Sequence, residues 1–191
     1  MSAYRNAVSP RLILVFALLT LAAPSAYCQL SSNTATVALR ATLTESLTVA
    51  ATPRTVTIPL VSGGIATGSS PVAITTSWVL SGGRTAVTLV GYFSSATAAL
   101  TNAATTPTNI PAAEVLGQVT TGTPTTFTPF TQTAPLGAAG AGLTLFSLPL
   151  TSTNQTASRT DNLVLEIDLS SQPQLPAGAY SGTLNLQAQA L

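Results

Sequence analysis

The stretch Thr36-Val37-Ala38-Leu39-Arg40-Ala41-Thr42-Leu43-Thr44-Glu45-Ser46-Leu47-Thr48-Val49-Ala50-Ala51 sets how the rest of the chain is read. Its odd positions carry Val37, Leu39, Ala41, Leu43, Leu47 and Val49, with Thr36, Thr42, Thr44 and Thr48 between them. Alternation with period two turns one side of an extended chain to a core and the other to solvent. Working outward, Thr55-Val56-Thr57-Ile58 predicts a second strand, stopped by Pro59. Val72, Ile74, Thr76, Trp78 and Leu80 share one face of a third, which ends at Ser81-Gly82-Gly83. A strand over 84–93 follows at once, so the two read as a hairpin. Further strands are predicted at 143–150 and 163–169. In the last, over 180–191, Gly182, Leu184, Leu186 and Ala188 lie opposite Thr183, Asn185, Gln187 and Gln189. No stretch beyond residue 28 has helical periodicity. Short strands separated by Gly, Pro and Asn turns predict an all-β fold, a single antiparallel β-sandwich.

Residues 101–142 carry the weakest pattern. They are rich in Thr, Ala, Pro and Gly, with Val115-Leu116, Phe127 and Phe130 as apolar anchors. Residues 137–142 are almost without side chains and predict a loop or a tight crossing.

The N-terminus predicts export. Arg5 and Arg11 precede the apolar run Leu12-Ile13-Leu14-Val15-Phe16-Ala17-Leu18-Leu19-Thr20-Leu21-Ala22-Ala23, which Pro24 breaks. The run is about a dozen residues long, short of the ~20 that span a bilayer as a helix. A charged start, a short apolar core and small residues after it describe a secretory signal peptide. Cleavage after Cys28, with Ala26 two positions before it, leaves Gln29 first. Acylation of Cys28 calls for a small residue before it, and Tyr27 is not small. The expected organisation is a signal at 1–28 and one domain at 29–191. The expected location is secreted, in a periplasm or at a cell surface, without a membrane anchor.

Composition narrows the chemistry. The chain has 191 residues, 6 Lys+Arg, 5 Asp+Glu, no His and 1 Cys. All the basic residues are arginines: Arg5, Arg11, Arg40, Arg54, Arg84 and Arg159. Without His and Lys there is no Ser–His pair, Schiff base, imidazole zinc ligand or histidine base. A net charge of +1 with no basic cluster leaves nothing to neutralise a phosphate backbone, which argues against nucleic acid as a partner. Beyond residue 28 no cysteine remains to form a disulfide. A non-enzymatic chain without cofactor or metal is the expectation.

Few residues invite a chemical reading. Asp161, Glu166 and Asp168 form the acidic cluster, and Glu166 and Asp168 project from one strand face opposite Leu165 and Ile167. A calcium site or a glycosidase pair uses such carboxylates, but a calcium loop places six or more oxygens at a characteristic spacing absent here. A solvated strand face is the simpler reading. Trp78 reads as core. Tyr92 and Phe93 are neighbours, so they point to opposite faces. Asn154-Gln155-Thr156 matches a glycosylation sequon, a pattern common by chance.

The segment Leu175-Pro176-Ala177-Gly178-Ala179-Tyr180-Ser181-Gly182-Thr183-Leu184 resembles the ending of many bacterial secreted β-sandwiches, among them spore-coat-U-like proteins and chaperone–usher pilins. With the alternating segment at 36–43, the chain is most similar to disulfide-free, alternate-class chaperone–usher pilins. That resemblance implies an immunoglobulin-like sandwich left incomplete, and completed in a fibre by the N-terminal strand of the next subunit. It makes Val37, Leu39, Ala41 and Leu43 the candidate donor-strand residues that fill pockets in the neighbour. The implied partners are further copies of the chain or other pilin-like subunits, with a periplasmic chaperone and usher. Two alternatives stay open. The segment also suits the first strand of a complete sandwich, and such a sandwich would serve as a stand-alone module binding carbohydrate or a surface ligand.

Overall fold

Backbone that is extended and apolar on alternate sides is stable only when its amide and carbonyl groups find a ladder, and here the ladders are all antiparallel. The computed structural model describes residues 31–104, 108–133 and 136–191, so the predicted signal at 1–28 lies outside the described residues. The chain divides into residues 1–41 and residues 42–191. In the first unit, residues 31–41 form no secondary structure and are exposed throughout.

The second unit is all-β. Its strands are β1 (Ser46–Thr52), β2 (Ile65–Thr67), β3 (Val72–Val79), β4 (Ala86–Tyr92), β5 (Leu100–Asn102), β6 (Asn109–Ile110), β7 (Val115–Val119), β8 (Thr128–Pro129), β9 (Gly142–Pro149), β10 (Thr156–Asp168), β11 (Tyr180–Ser181) and β12 (Asn185–Ala190). A 3-10 turn, Ala112–Glu114, precedes β7. One sheet has the order β1-β3-β10-β7-β8, with β2 paired to the end of β10; a second has the order β12-β4-β9. A small sheet, β11-β5-β6, completes the set.

The two main sheets share one apolar core, as in a β-sandwich. Ile74, Trp78, Leu163 and Ile167 come from the first sheet; Val87, Leu89, Leu143 and Leu145 come from the second. Trp78 is 2% exposed, and its indole N–H donates to the Asn154 carbonyl at 2.9 Å. Phe93 and Phe130 meet edge to face at 5.2 Å between centroids. Gly117 is required where β7 crosses this core, because a Cβ there would lie 2.9 Å from Leu143 and 3.1 Å from Leu163. Tyr180 anchors the end of the Pro-Ala-Gly segment: its hydroxyl donates to the Pro176 carbonyl at 2.9 Å and accepts from the Asn102 amide at 3.3 Å.

Four local expectations are corrected. The alternating run at 33–51 is a strand only from Ser46, and residues 31–45 join no ladder among the described residues. Thr55-Val56-Thr57-Ile58 is not a strand. Ser69 donates its N–H to the Thr57 carbonyl and Thr57 donates its own to Ser69 Oγ, so this segment makes isolated bonds where a ladder was expected. The strands β3 and β4 are not a hairpin: β3 pairs with β1 and β10, whereas β4 pairs with β12 and β9. The turn at 81–84 carries the chain from one sheet to the other, so the inward faces of β3 and β4 meet across the core. Finally, the closing strand is broken at 182–184, where the backbone of Gly182 runs so close to Ala99 that any side chain would strike its carbonyl.

Candidate functional site

The strands β1 and β12 are the edges of the two main sheets on the same side of the sandwich, and neither has a second partner among the described residues. Their inward residues are Leu47, Val49 and Ala51 on β1, with Leu186, Ala188 and Ala190 on β12 and Leu184 just before it. All are half-buried.

The seam has two unlike ends. At the start of β1, Ala188 and Ala190 with Glu45, Leu47, Leu80 and Arg84 line a small depression of about 300 Å³. At the other end residues 182–184 have left the ladder, and the segment after Pro53 is in no strand. A groove of about 640 Å³ opens there. Its floor is core: Val72, Phe93, Val115 and Ile167 line it, exposed by 6%, 5%, 3% and 1%. Its walls are Val49, Ala51, Val56, Ile58, Leu184 and Leu186. The backbone edges of β1 and of residues 182–186 border it with unpaired amides and carbonyls, a template for another strand. Arg54 is the one charged residue of the lining, exposed and without an ion-pair partner among the described residues.

Glu45 ties the end at the start of β1 to the turn at 81–84. Its carboxylate accepts from the Ser81 N–H at 2.7 Å and from Arg84 Nε at 3.3 Å and Nη2 at 3.0 Å. Arg84 Nη1 also reaches the Ala190 carbonyl at 3.4 Å. The Arg84 hydrogen bond, helped by the Ser81 amide, holds the Glu45 carboxyl down at about 2, and the same pairing raises Arg84.

Val37, Leu39 and Leu43 are 81%, 90% and 84% exposed, and Ala41 is exposed too. Contiguous large apolar side chains standing in water are what a chain keeps for a partner.

The acidic cluster separates. Glu166 and Asp168 face outward as expected, and Asp168 is held low by the Ser170 hydroxyl and N–H. Asp161 is a correction to the solvated reading: it is fully buried. Arg159 Nε and Nη2 each meet its carboxylate at 2.6 Å, and Thr121 Oγ1 donates to Oδ1 at 3.2 Å. The Arg159 guanidinium also lies 4.8 Å above the Phe146 ring. The pair locks the turn at 119–122 onto β10; it offers no open coordination. Among the described residues no group of three or more His, Cys, Asp or Glu side chains is placed to hold a metal ion, and no helix is long and apolar enough to cross a membrane. Tyr92 faces out and donates to Gln187 Oε1, while Phe93 is in the core. The Asn154 side chain is spent on Thr151 N–H and Pro149 O.

No protein-family model, curated protein or solved structure matches this chain. The functional reading therefore stands on the groove and the exposed segment alone.

Proposed function

We propose that the chain is an exported, non-enzymatic structural subunit of pilin-like kind, which assembles by laying its N-terminal segment into the groove of another copy. The observation that carries this reading is the pairing of a deficit with a surplus. A sandwich whose core is open between two unpaired edge strands belongs to a chain that also holds an alternating apolar segment, at 36–43, in no sheet at all. Strand addition uses both: the ladder bonds of the edge supply affinity, and alternate side chains fill the opening. Val37, Leu39, Ala41 and Leu43 are the residues that enter. During export the same opening suits a strand lent by a periplasmic chaperone, until an usher exchanges it for the next subunit.

Two features support an immunoglobulin-like frame for this sandwich. If β1-β3-β10-β7 and β12-β4 correspond to the two sheets of such a frame, its last strand would lie beside the edge of β12, where none is present among the described residues. The Tyr180 hydroxyl bonded to backbone four residues upstream is the corner such sandwiches use at that strand. The alternative of a stand-alone carbohydrate module draws less support, since Phe93 is the sole aromatic lining the groove and it is buried.

The test is the state of assembly. Wild type purified from the exporting cell should run as polymers by size exclusion, and Leu39→Glu as a folded monomer, because it puts a charge where a pocket expects a leucine. Monomeric wild type at every concentration, or unfolding of Leu39→Glu, contradicts the proposal.

A further inference from the structure

We propose that an ion pair between copies, Glu45 of the donor with Arg54 of the acceptor, fixes the sense and register in which the donated segment lies; this rests on the strand-addition reading above. Three observations converge on it. The larger opening, about 640 Å³, lies at the Arg54 end of the seam, and a smaller one, about 300 Å³, lies beside Glu45 and Ala190. A segment ordered with Val37 inward and Leu43 at the mouth therefore runs antiparallel to β12, as every ladder of this sandwich does.

The second observation is chain length. Only Thr44 separates Leu43 from Glu45, about 7 Å at the rise of extended backbone. With Leu43 seated at the mouth, Glu45 of the donor has no slack and stands at the acceptor's rim. The third is charge. Arg54 is the one charged lining residue and has no ionic partner among the described residues. Glu45 Oε2 accepts a single hydrogen bond, from Arg84, and the side chain is 36% exposed, so it has room for a second guanidinium. In the opposite sense Leu43 would lie beside Ala188 and Ala190, and Glu45 would meet the acceptor's own Glu45–Arg84 pair.

The experiment uses full-length Leu39→Glu protein as acceptor, since its own donor segment is disabled, and a fluorescent peptide of residues 31–46 as donor. Anisotropy at low salt gives four affinities: peptide with Glu45 or with Glu45→Gln, against acceptor with Arg54 or with Arg54→Gln. An exposed pair of this kind predicts that Arg54→Gln weakens the Glu45 peptide about three-fold and leaves the Gln peptide unchanged. Arg54→Lys should restore most of the loss, and 0.5 M salt should erase the difference. Equal affinities in all four combinations, or an equal loss for both peptides, overturns the ion pair while leaving strand addition standing. Failure of every peptide to bind overturns strand addition itself.

Discussion

Replacing Arg159 with alanine should cost far more than its place on a surface strand suggests. The carboxylate of Asp161 is 1% exposed and relies on two guanidinium contacts of 2.6 Å and one hydroxyl at 3.2 Å. Arg159→Ala strands that charge in the core, a change that costs about 3–5 kcal/mol where one member of a buried pair is removed. Asp161→Ala is milder, because the Arg159 side chain is 29% exposed, can take up water and keeps its stack on Phe146. Its loss is that of charged hydrogen bonds, about 1.5–3 kcal/mol. For a domain of this size, ~2–4 °C per kcal/mol puts Arg159→Ala roughly 6–20 °C below wild type. The double variant should cost less than the sum of the singles, since removing both leaves no orphaned charge. Urea and thermal melts of the three proteins measure this. An Asp161→Ala cost within about 0.5 kcal/mol, the range of a solvated residue, refutes the buried pair. So does an Arg159→Ala that is milder than Asp161→Ala.

Two further expectations follow from single side chains. Thr76 Oγ1 is fully buried without a hydrogen-bond partner among the described residues, a situation that costs about 1–3 kcal/mol, so Thr76→Val should raise the melting temperature by a few degrees; a fall would show the hydroxyl is satisfied. The Glu45 carboxyl is lowered from 4.5 to about 2, so its contribution to stability is complete above the ordinary carboxylate range and is lost as pH falls through about 2. The difference in melting temperature between wild type and Glu45→Gln should therefore be constant above pH 5 and vanish near pH 2, and a difference that vanishes already at pH 4 contradicts the clasp.

Polarity alternation made the long strands legible. Val72, Ile74, Thr76 and Trp78 show it cleanly because each inward side chain is large and each outward one polar or small. The same signal misled at Thr55-Val56-Thr57-Ile58. Val56 and Ile58 are half-buried on the groove wall, so alternation there records burial on one side, with no ladder behind it. Pairing was not legible at the turn at 81–84: a short glycine-containing link serves a hairpin and a sheet-to-sheet crossing equally well. Asp161 was readable and missed. It has the parity of Leu163, Leu165 and Ile167, which is the inward face, and Arg159 two residues before it is its partner. The groove was beyond reach, since it depends on where residues 182–184 leave the ladder, a matter of Gly182 against the Ala99 carbonyl. Alternation picked out Val37, Leu39, Ala41 and Leu43, and the resemblance to pilins made them donor candidates; that they stand exposed while Ser46 onward is paired is visible only in the fold.

The most direct measurement of the central claim is a melt of full-length Leu39→Glu protein with and without a synthetic peptide of residues 31–44. A strand that completes the sandwich binds the native state alone, and at a hundred times its dissociation constant it stabilises by ~2.7 kcal/mol. The account predicts a rise in melting temperature of roughly 5–11 °C, saturating with peptide, and no rise with a peptide carrying Leu39→Glu. A melting temperature indifferent to the unmodified peptide at every concentration would contradict it.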